Sequence, residues 1–318
     1  MRSLALSAML IVGMMPAAGA ARAADRLTVM LDWLPNPDQA PLFVAQHNGI
    51  FRDHGLDVTL VAPSDAATPP MMAATGRVDI AIGYQPQLYL LAAKDVPVVR
   101  FATLVDTPLD SIIALKGSGI HDLADLKGHT LGFAVPGVEE ALAHAMLASA
   151  GLRPADVRMV NVNFQIVGAL MMHRVDATIS AYRNKEIHEL HEHGQEAVAF
   201  YPEEHGVPLY DELIFLTRRD KMHDPRLARF VAAIRESAIW LRAHPEQGWA
   251  GFIQDHPEQN TTLVHTEWLD TAGRFDTTPG RLDRARYVAF GAFMRQQGMI
   301  PAALDVDRLA IQTDEAAP

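Results

Sequence analysis

Four aromatic side chains and one carboxylate have the types and spacing to grip a flat heteroaromatic ring. Trp33 follows the apolar run Leu27 to Leu31 and is met at once by Pro35, Asn36, Pro37 and Asp38, which places the indole at the carboxyl end of a strand. Tyr84 closes the run Ile80 to Gly83, Tyr182 closes a run entered at His173, and Tyr210 opens another that ends at Thr217. In open α/β sheets ligands sit in the crevice outside the carboxyl ends of the strands. A ring stacked there contributes roughly 0.5–1.5 kcal/mol per pair beyond the area buried. Stacking does not choose among flat guests, so an in-plane polar group is needed. Glu186, four residues past Tyr182 at the start of an expected helix, is the candidate. Its carboxylate can accept from an exocyclic amine and, if the ring is protonated, from the adjacent ring N–H. Asn36, Asp32 and Gln85 are supporting polar contacts. Gly137 and Val138 open another helix whose free N–H groups point at the same crevice. Glu139 and Glu140 already complement that helix end, which disfavours a strongly anionic guest. Plainer readings stand beside these: Trp33 can cap the core, and Glu186 can be a solvated acid favoured by the helix dipole.

The run His188-Glu189-Leu190-His191-Glu192-His193 invites a metal reading, since His188 shares a helix face with Glu192 and Glu189 with His193. The HEXXH spacing is absent and a charged, solvated face explains the run equally well, so no metal is expected. The chain has no cysteine, which excludes disulfides, thiolate metal sites, cysteine nucleophiles and a lipid-modified cysteine anchor.

Residues 1–23 read as an export leader, with Arg2 as its charged start, Leu4 to Met15 as its apolar stretch, and Ala21-Arg22-Ala23 as the cleavage site. The formal charge is -11; without Arg2 and Arg22, 25 basic residues face 38 acidic ones, or -13. Counterion release needs clustered Lys and Arg, so this balance opposes a nucleic-acid partner. At 49% hydrophobic over 318 residues there is core enough for one large or two medium domains.

The elements alternate. Strands are expected at Leu56 to Val61, Ile80 to Gly83, Pro97 to Val105, Ser111 to Leu115, Thr130 to Phe133, Val157 to Val162, Ala197 to Phe200 and Tyr210 to Thr217. Helices are expected between them at Ala40 to Asn48, Met71 to Thr75, Gln85 to Lys94, Val138 to Ser149, Gly168 to His173 and Glu186 to Glu192. That order predicts α/β lobes, each a mostly parallel sheet flanked by helices. Gly76 to Tyr84 (GRVDIAIGY) is echoed by His173 to Tyr182 (HRVDATISAY), which suggests two lobes of similar build. From Pro225 the pattern is helical only, with Asp224 as N-cap, and Trp240 and Trp249 are expected to pack these helices on the first lobe. The expected layout is a leader at 1–23, first lobe at 24–110, second lobe at 111–206, and a return to the first lobe with C-terminal helices at 207–318. Crossing near Thr107 to Ser111 and again near Glu204 to Tyr210 would leave a cleft that opens about two strands.

The segment LDWLPNPDQAPLFVAQHNGIF (31–51) resembles the opening of the pyrimidine-binding periplasmic proteins of thiamine-precursor ABC transporters, and of the related yeast pyrimidine synthases. The resemblance continues through VDIAIGYQPQ (78–87), PGVEEAL (136–142), AYRNKE (181–186) and HGVPLYDELIF (205–215), to about Thr217. It implies a two-lobed, type II-like periplasmic binding protein that captures a thiamine-related aminopyrimidine and delivers it to an ABC permease. A free, monomeric periplasmic protein without a cofactor follows, with Trp33 and Tyr84 stacking and Glu186 at the position where the family pattern implies a glutamate. The alternatives are a binder of another flat ligand, such as a flavin precursor or a sulfonate, and an enzyme like the yeast synthases. The resemblance implies that those synthases use a pyridoxal phosphate lysine and a cysteine-rich iron motif, whereas this chain has no cysteine and no lysine before Lys94.

Overall fold

The computed structural model describes residues 24–313; the expected leader and the tail beyond Thr313 lie outside the described residues. The strands are β1 (Asp25–Met30), β2 (Leu56–Val61), β3 (Ile80–Gly83), β4 (Val98–Val105), β5 (Asp110–Leu115), β6 (Thr130–Phe133), β7 (Arg158–Asn161), β8 (Ala177–Tyr182), β9 (Ala197–Phe200) and β10 (Leu213–Arg218). The helices are α1 (Ala40–His47), α2 (Ile50–Asp53), α3 (Pro69–Ala74), α4 (Gln85–Ala92), α5 (Val138–Ser149), α6 (Ile166–Met171), α7 (Glu186–Glu192), α8 (Pro225–Ala243), α9 (Pro245–Asp255), α10 (Thr262–Thr271), α11 (Arg284–Gln296) and α12 (Val306–Leu309).

The strands form two five-stranded sheets, ordered β2-β1-β3-β10-β4 and β7-β6-β8-β5-β9. In each, one strand runs against the other four: β10 is antiparallel to β3 and β4, and β5 is antiparallel to β8 and β9. The odd strand is in both cases the one that has just crossed from the other lobe, inserted at the same place in the order. The mostly parallel expectation holds, and the two lobes share one topology. β4 stands at an edge of its sheet yet is buried along its whole length, because α4, α8 and α12 pack on it and Ala310 and Phe275 bridge to its free side.

The sequence echo is structural. β3 and β8 occupy the same place in their sheets, and the aspartate of each Arg-Val-Asp turn does the same job. Asp79 Oδ2 accepts from Thr28 N at 2.9 Å beside β1, and Asp176 Oδ2 accepts from Thr130 N at 2.7 Å beside β6.

The two crossings run side by side and are tied by one carboxylate. Glu212 Oε2 accepts from the N–H groups of Leu109 (2.7 Å) and Asp110 (3.1 Å) on the outward strand, and from Tyr210 OH (3.1 Å) on its own. α8 begins where Asp224 accepts from Arg226 N and buries Leu227, Phe230, Val231, Ile234, Ala238 and Leu241 on the first lobe. Trp249 packs against Trp268 and Phe252 within that helical layer, and Trp240 lies on His244. α10 is an element the sequence pattern did not announce. Thr261 caps it by accepting from Val264 N, and it lies against α7 of the other lobe.

Candidate functional site

The carboxyl ends of β1 and β3 in one lobe face those of β6 and β8 in the other, across a slot holding about 360 Å³ of atom-free space. From the first lobe come Asp32, Trp33, Asn36, Asp38 and Tyr84. The second contributes Glu139, Ile166, Ser180, Tyr182, Lys185 and Glu186. Of the ten residues expected at a ligand seat, the structure thus brings six together: Asp32, Trp33, Asn36, Tyr84, Tyr182 and Glu186.

The first-lobe wall is built by the loop after β1. Two prolines stop the strand, and Asn36 caps the tight turn Pro37–Gln39 by accepting from Asp38 N at 2.8 Å while Gln39 accepts from Asn36 N at 3.1 Å. The Asn36 amide donates to Leu34 O, so its side chain is spent on the loop. Asp32 takes one bond on each oxygen, from Gln39 Nε2 at 2.9 Å and from Tyr84 OH at 3.2 Å, which fixes the Tyr84 ring at the slot. Burial pushes the Asp32 carboxyl up, against the pull of these two bonds. Trp33 meets the second-lobe Phe164 edge to face, with centroids 4.5 Å apart, and also packs against the apolar clusters of both lobes. The indole thus caps the core, as its plainer reading expected, and also stands on the slot wall.

In the second lobe, Glu186 Oε2 accepts from Tyr182 N and Oε1 from Lys185 Nζ, both at 2.8 Å. The ammonium of Lys185 is pulled down by burial, but Glu186 and then Glu267 and Asp38 outweigh this and hold it charged. Glu139 Oε2 accepts from Ala134 N at 2.6 Å and from Val135 N at 3.1 Å, and also receives the Ser180 hydroxyl. Burial pushes the Glu139 carboxyl up to about 7 despite these bonds.

One side of the slot is closed by polar contacts between lobes. Asn184 Nδ2 donates to Asp38 Oδ1 at 2.6 Å and to Thr271 Oγ1 at 2.7 Å, and His188 Nε2 lies 2.9 Å from Asp270 Oδ2. Burial pushes Asp38 up to about 7 and the neighbouring Glu267 up to about 8. Four carboxylates thus line the slot against one lysine.

The other four expected residues lie elsewhere. Gln85 is fully buried and its Oε1 accepts from Asp211 N at 2.7 Å, tying α4 to the return crossing. Tyr210 is fully buried, bonded to Glu212 and packed on Phe290, because the return strand turns that side chain into the helical layer. Val138 is buried in the second-lobe core. Gly137 faces a separate groove beside Leu90, His144 and Met299, and its N–H is taken by Glu140 Oε2 at 2.7 Å. The N–H groups expected to be free at this helix opening are therefore largely consumed by the chain's own acids. Among the described residues, no cluster of His, Asp and Glu could hold a metal.

Sequence reasoning did not assign Asp38, Ile166, Ser180 or Lys185 to the site. Asp38 and Lys185 stand inside the motifs already singled out. Ser180 had no local signal: it is a non-glycine held at φ 98° opposite a register irregularity between Ser111 and Ile113.

A family model described as NMT1/THI5 like matches residues 36–248. The chain is 41% identical over 293 residues to a putative thiamine biosynthesis protein of Haemophilus influenzae, covering 92% of this chain and 93% of that one. It is 32% identical to a formylaminopyrimidine-binding protein of Halalkalibacterium halodurans (76% and 74% covered). Identity is 26% to a 4-amino-5-hydroxymethyl-2-methylpyrimidine phosphate synthase of Saccharomyces cerevisiae (77% and 75%). Among solved structures, the alkanesulfonate-binding protein of Xanthomonas axonopodis superposes with a TM-score of 0.73 at 15% identity (92% and 99%). The periplasmic nitrate-binding protein of Synechocystis does so at 0.70 and 16% (91% and 86%). This chain belongs to the NMT1/THI5-like family and has the fold of the periplasmic substrate-binding proteins.

Proposed function

We propose that this protein is the substrate-binding component of an ABC importer, a periplasmic monomer that closes on a thiamine-precursor aminopyrimidine, formylaminopyrimidine or hydroxymethylpyrimidine, and carries it to a permease. In this reading the first lobe (24–110 and the return from 207) and the second (111–206) grip the ring between them. Trp33 and Tyr84 offer their faces, and Glu186 accepts at the ring edge. The observation that carries the reading is the slot itself, with aromatic side chains from both lobes and four carboxylates against one lysine. Such a wall suits a guest rich in N–H donors. Glu186 already accepts one bond on each oxygen, and each oxygen keeps a further lone pair for the guest. The relative named for formylaminopyrimidine binding, at 32% identity, supports the ligand class.

A synthase reading is disfavoured by the chain's own chemistry. There is no cysteine for an iron motif, and Lys185, the lysine on the slot wall, is held as an ammonium against Glu186, whereas an imine-forming lysine must be neutral. The test is calorimetry on protein unfolded and refolded to strip bound ligand. Heat of binding with formylaminopyrimidine or hydroxymethylpyrimidine is expected; no heat with either at high micromolar concentration refutes the reading.

A further inference from the structure

We propose that Glu139 is a specificity-determining residue: its carboxylate fills, from within the chain, the donors on the second-lobe wall that an anionic guest would need. The slot then accepts uncharged or cationic rings and refuses anions, including the phosphorylated form of the same ring. The inference deepens the reading of the slot as a ligand seat and rests on it.

Where a strand runs into a helix, backbone N–H groups converge and make a concave nest for an anion. Here β6 ends at Phe133 and α5 begins at Val138, and the intervening Ala134 and Val135 aim their N–H groups at one point on the slot wall. The Ser180 hydroxyl arrives at that point from β8 and also accepts from Ala134 N at 2.9 Å. Ser180 holds this position at a backbone angle that non-glycine residues adopt only with strain, so the convergence is built at a conformational cost. All three donors end on one oxygen of Glu139, a residue only 5% exposed that reaches back from the second position of α5. An incoming anion would have to displace a tethered carboxylate that is already bonded. It would also face Asp32, Asp38 and Glu186, with the one local cation already spent on Glu186.

The experiment titrates the native protein, Glu139→Ala and Glu139→Gln with sodium methanesulfonate and with inorganic phosphate, by calorimetry at about pH 8.5, where the Glu139 carboxyl is ionised, after circular dichroism has established that each is folded. The native protein is expected to take up neither anion up to about 10 mM. Glu139→Ala opens the nest and removes a like charge, so methanesulfonate should bind on the order of 10- to 100-fold tighter than the native limit. Glu139→Gln, isosteric and neutral, still fills the nest and should gain less. Millimolar binding of either anion by the native protein overturns the proposal, and so do folded variants that stay as blind to anions as the native chain. If Glu139→Ala does not fold, Glu139→Gln and the native titration decide. Parallel titrations of native protein with formylaminopyrimidine and with hydroxymethylpyrimidine separate the two claims. Anion gain without pyrimidine binding sinks the ligand reading and leaves the role of Glu139 standing; pyrimidine binding without anion gain does the reverse.

Discussion

Asn184 does not itself line the slot, yet its replacement by alanine should weaken ligand binding. Its amide bonds Asp38 Oδ1 at 2.6 Å and Thr271 Oγ1 at 2.7 Å, joining the second lobe to the first and to α10. Lobes that part about the crossings at Val105 to Asp110 and Phe200 to Leu213 must break both bonds. A bond to a charged group contributes about 1.5–3 kcal/mol net and a neutral one about 0.5–1.5. Against this, Asn184 Oδ1 is buried without a partner, and losing that orphan returns about 1 kcal/mol or more. The closed form should therefore lose roughly 1–3 kcal/mol relative to the open one. Because only the closed form surrounds the ligand, affinity should fall on the order of 10- to 100-fold. The assay is stopped-flow tryptophan fluorescence with calorimetry. Dissociation should accelerate by most of that factor while association changes little, since encounter precedes latching. A folded Asn184→Ala protein with affinity within twofold of native would refute the reasoning, and would mean that these bonds survive opening or contribute nothing to closure.

Three further outcomes follow from the same geometry. Glu186→Gln keeps an acceptor for Tyr182 N but turns a donor toward a donor-rich guest and leaves Lys185 without its partner, so binding should weaken by about 1.5–3 kcal/mol in calorimetry; unchanged affinity removes Glu186 from the site. Tyr210→Phe should leave ligand affinity within twofold and lower unfolding stability by roughly 0.5–1.5 kcal/mol in urea titration, because the hydroxyl serves Glu212 at the hinge and not the slot. Burial holds Asp38 and Glu139 up to about 7 and Glu267 up to about 8, all above their unfolded values, so the folded chain carries more protons than the unfolded one between about pH 4 and 8. Stability should rise as pH falls from 8.5 through that window, until acids held below their usual range, such as Asp156 at about 2, protonate in turn. A melting temperature that drops steadily from pH 8 to 5 contradicts this account.

What the chain determined by itself is whatever depends on near neighbours. Strand and helix periods, proline stops and the Asp224 cap are local, so most elements were legible, and the repeated Arg-Val-Asp turn foretold two sheets of one topology because each aspartate bonds the adjacent parallel strand of its own lobe. Trp33, Tyr84 and Tyr182 were legible for the same reason: a side chain at a strand's carboxyl end lies in the crevice wherever that strand is placed in an open sheet. Tertiary structure decided the rest. Tyr210 and Gln85 sit in equally promising motifs, but the return strand turns one into the helical layer and the other under the crossing. α10 brings Asp270 and Thr271 to the opposite lobe from some eighty residues away, and no local pattern encodes which face a helix will find there. The acidity of the slot is likewise a property of convergence. Asp32, Asp38, Glu139 and Glu186 are ordinary acids in sequence, and only folding takes them out of water together, where burial pushes the Asp32, Asp38 and Glu139 carboxyls up.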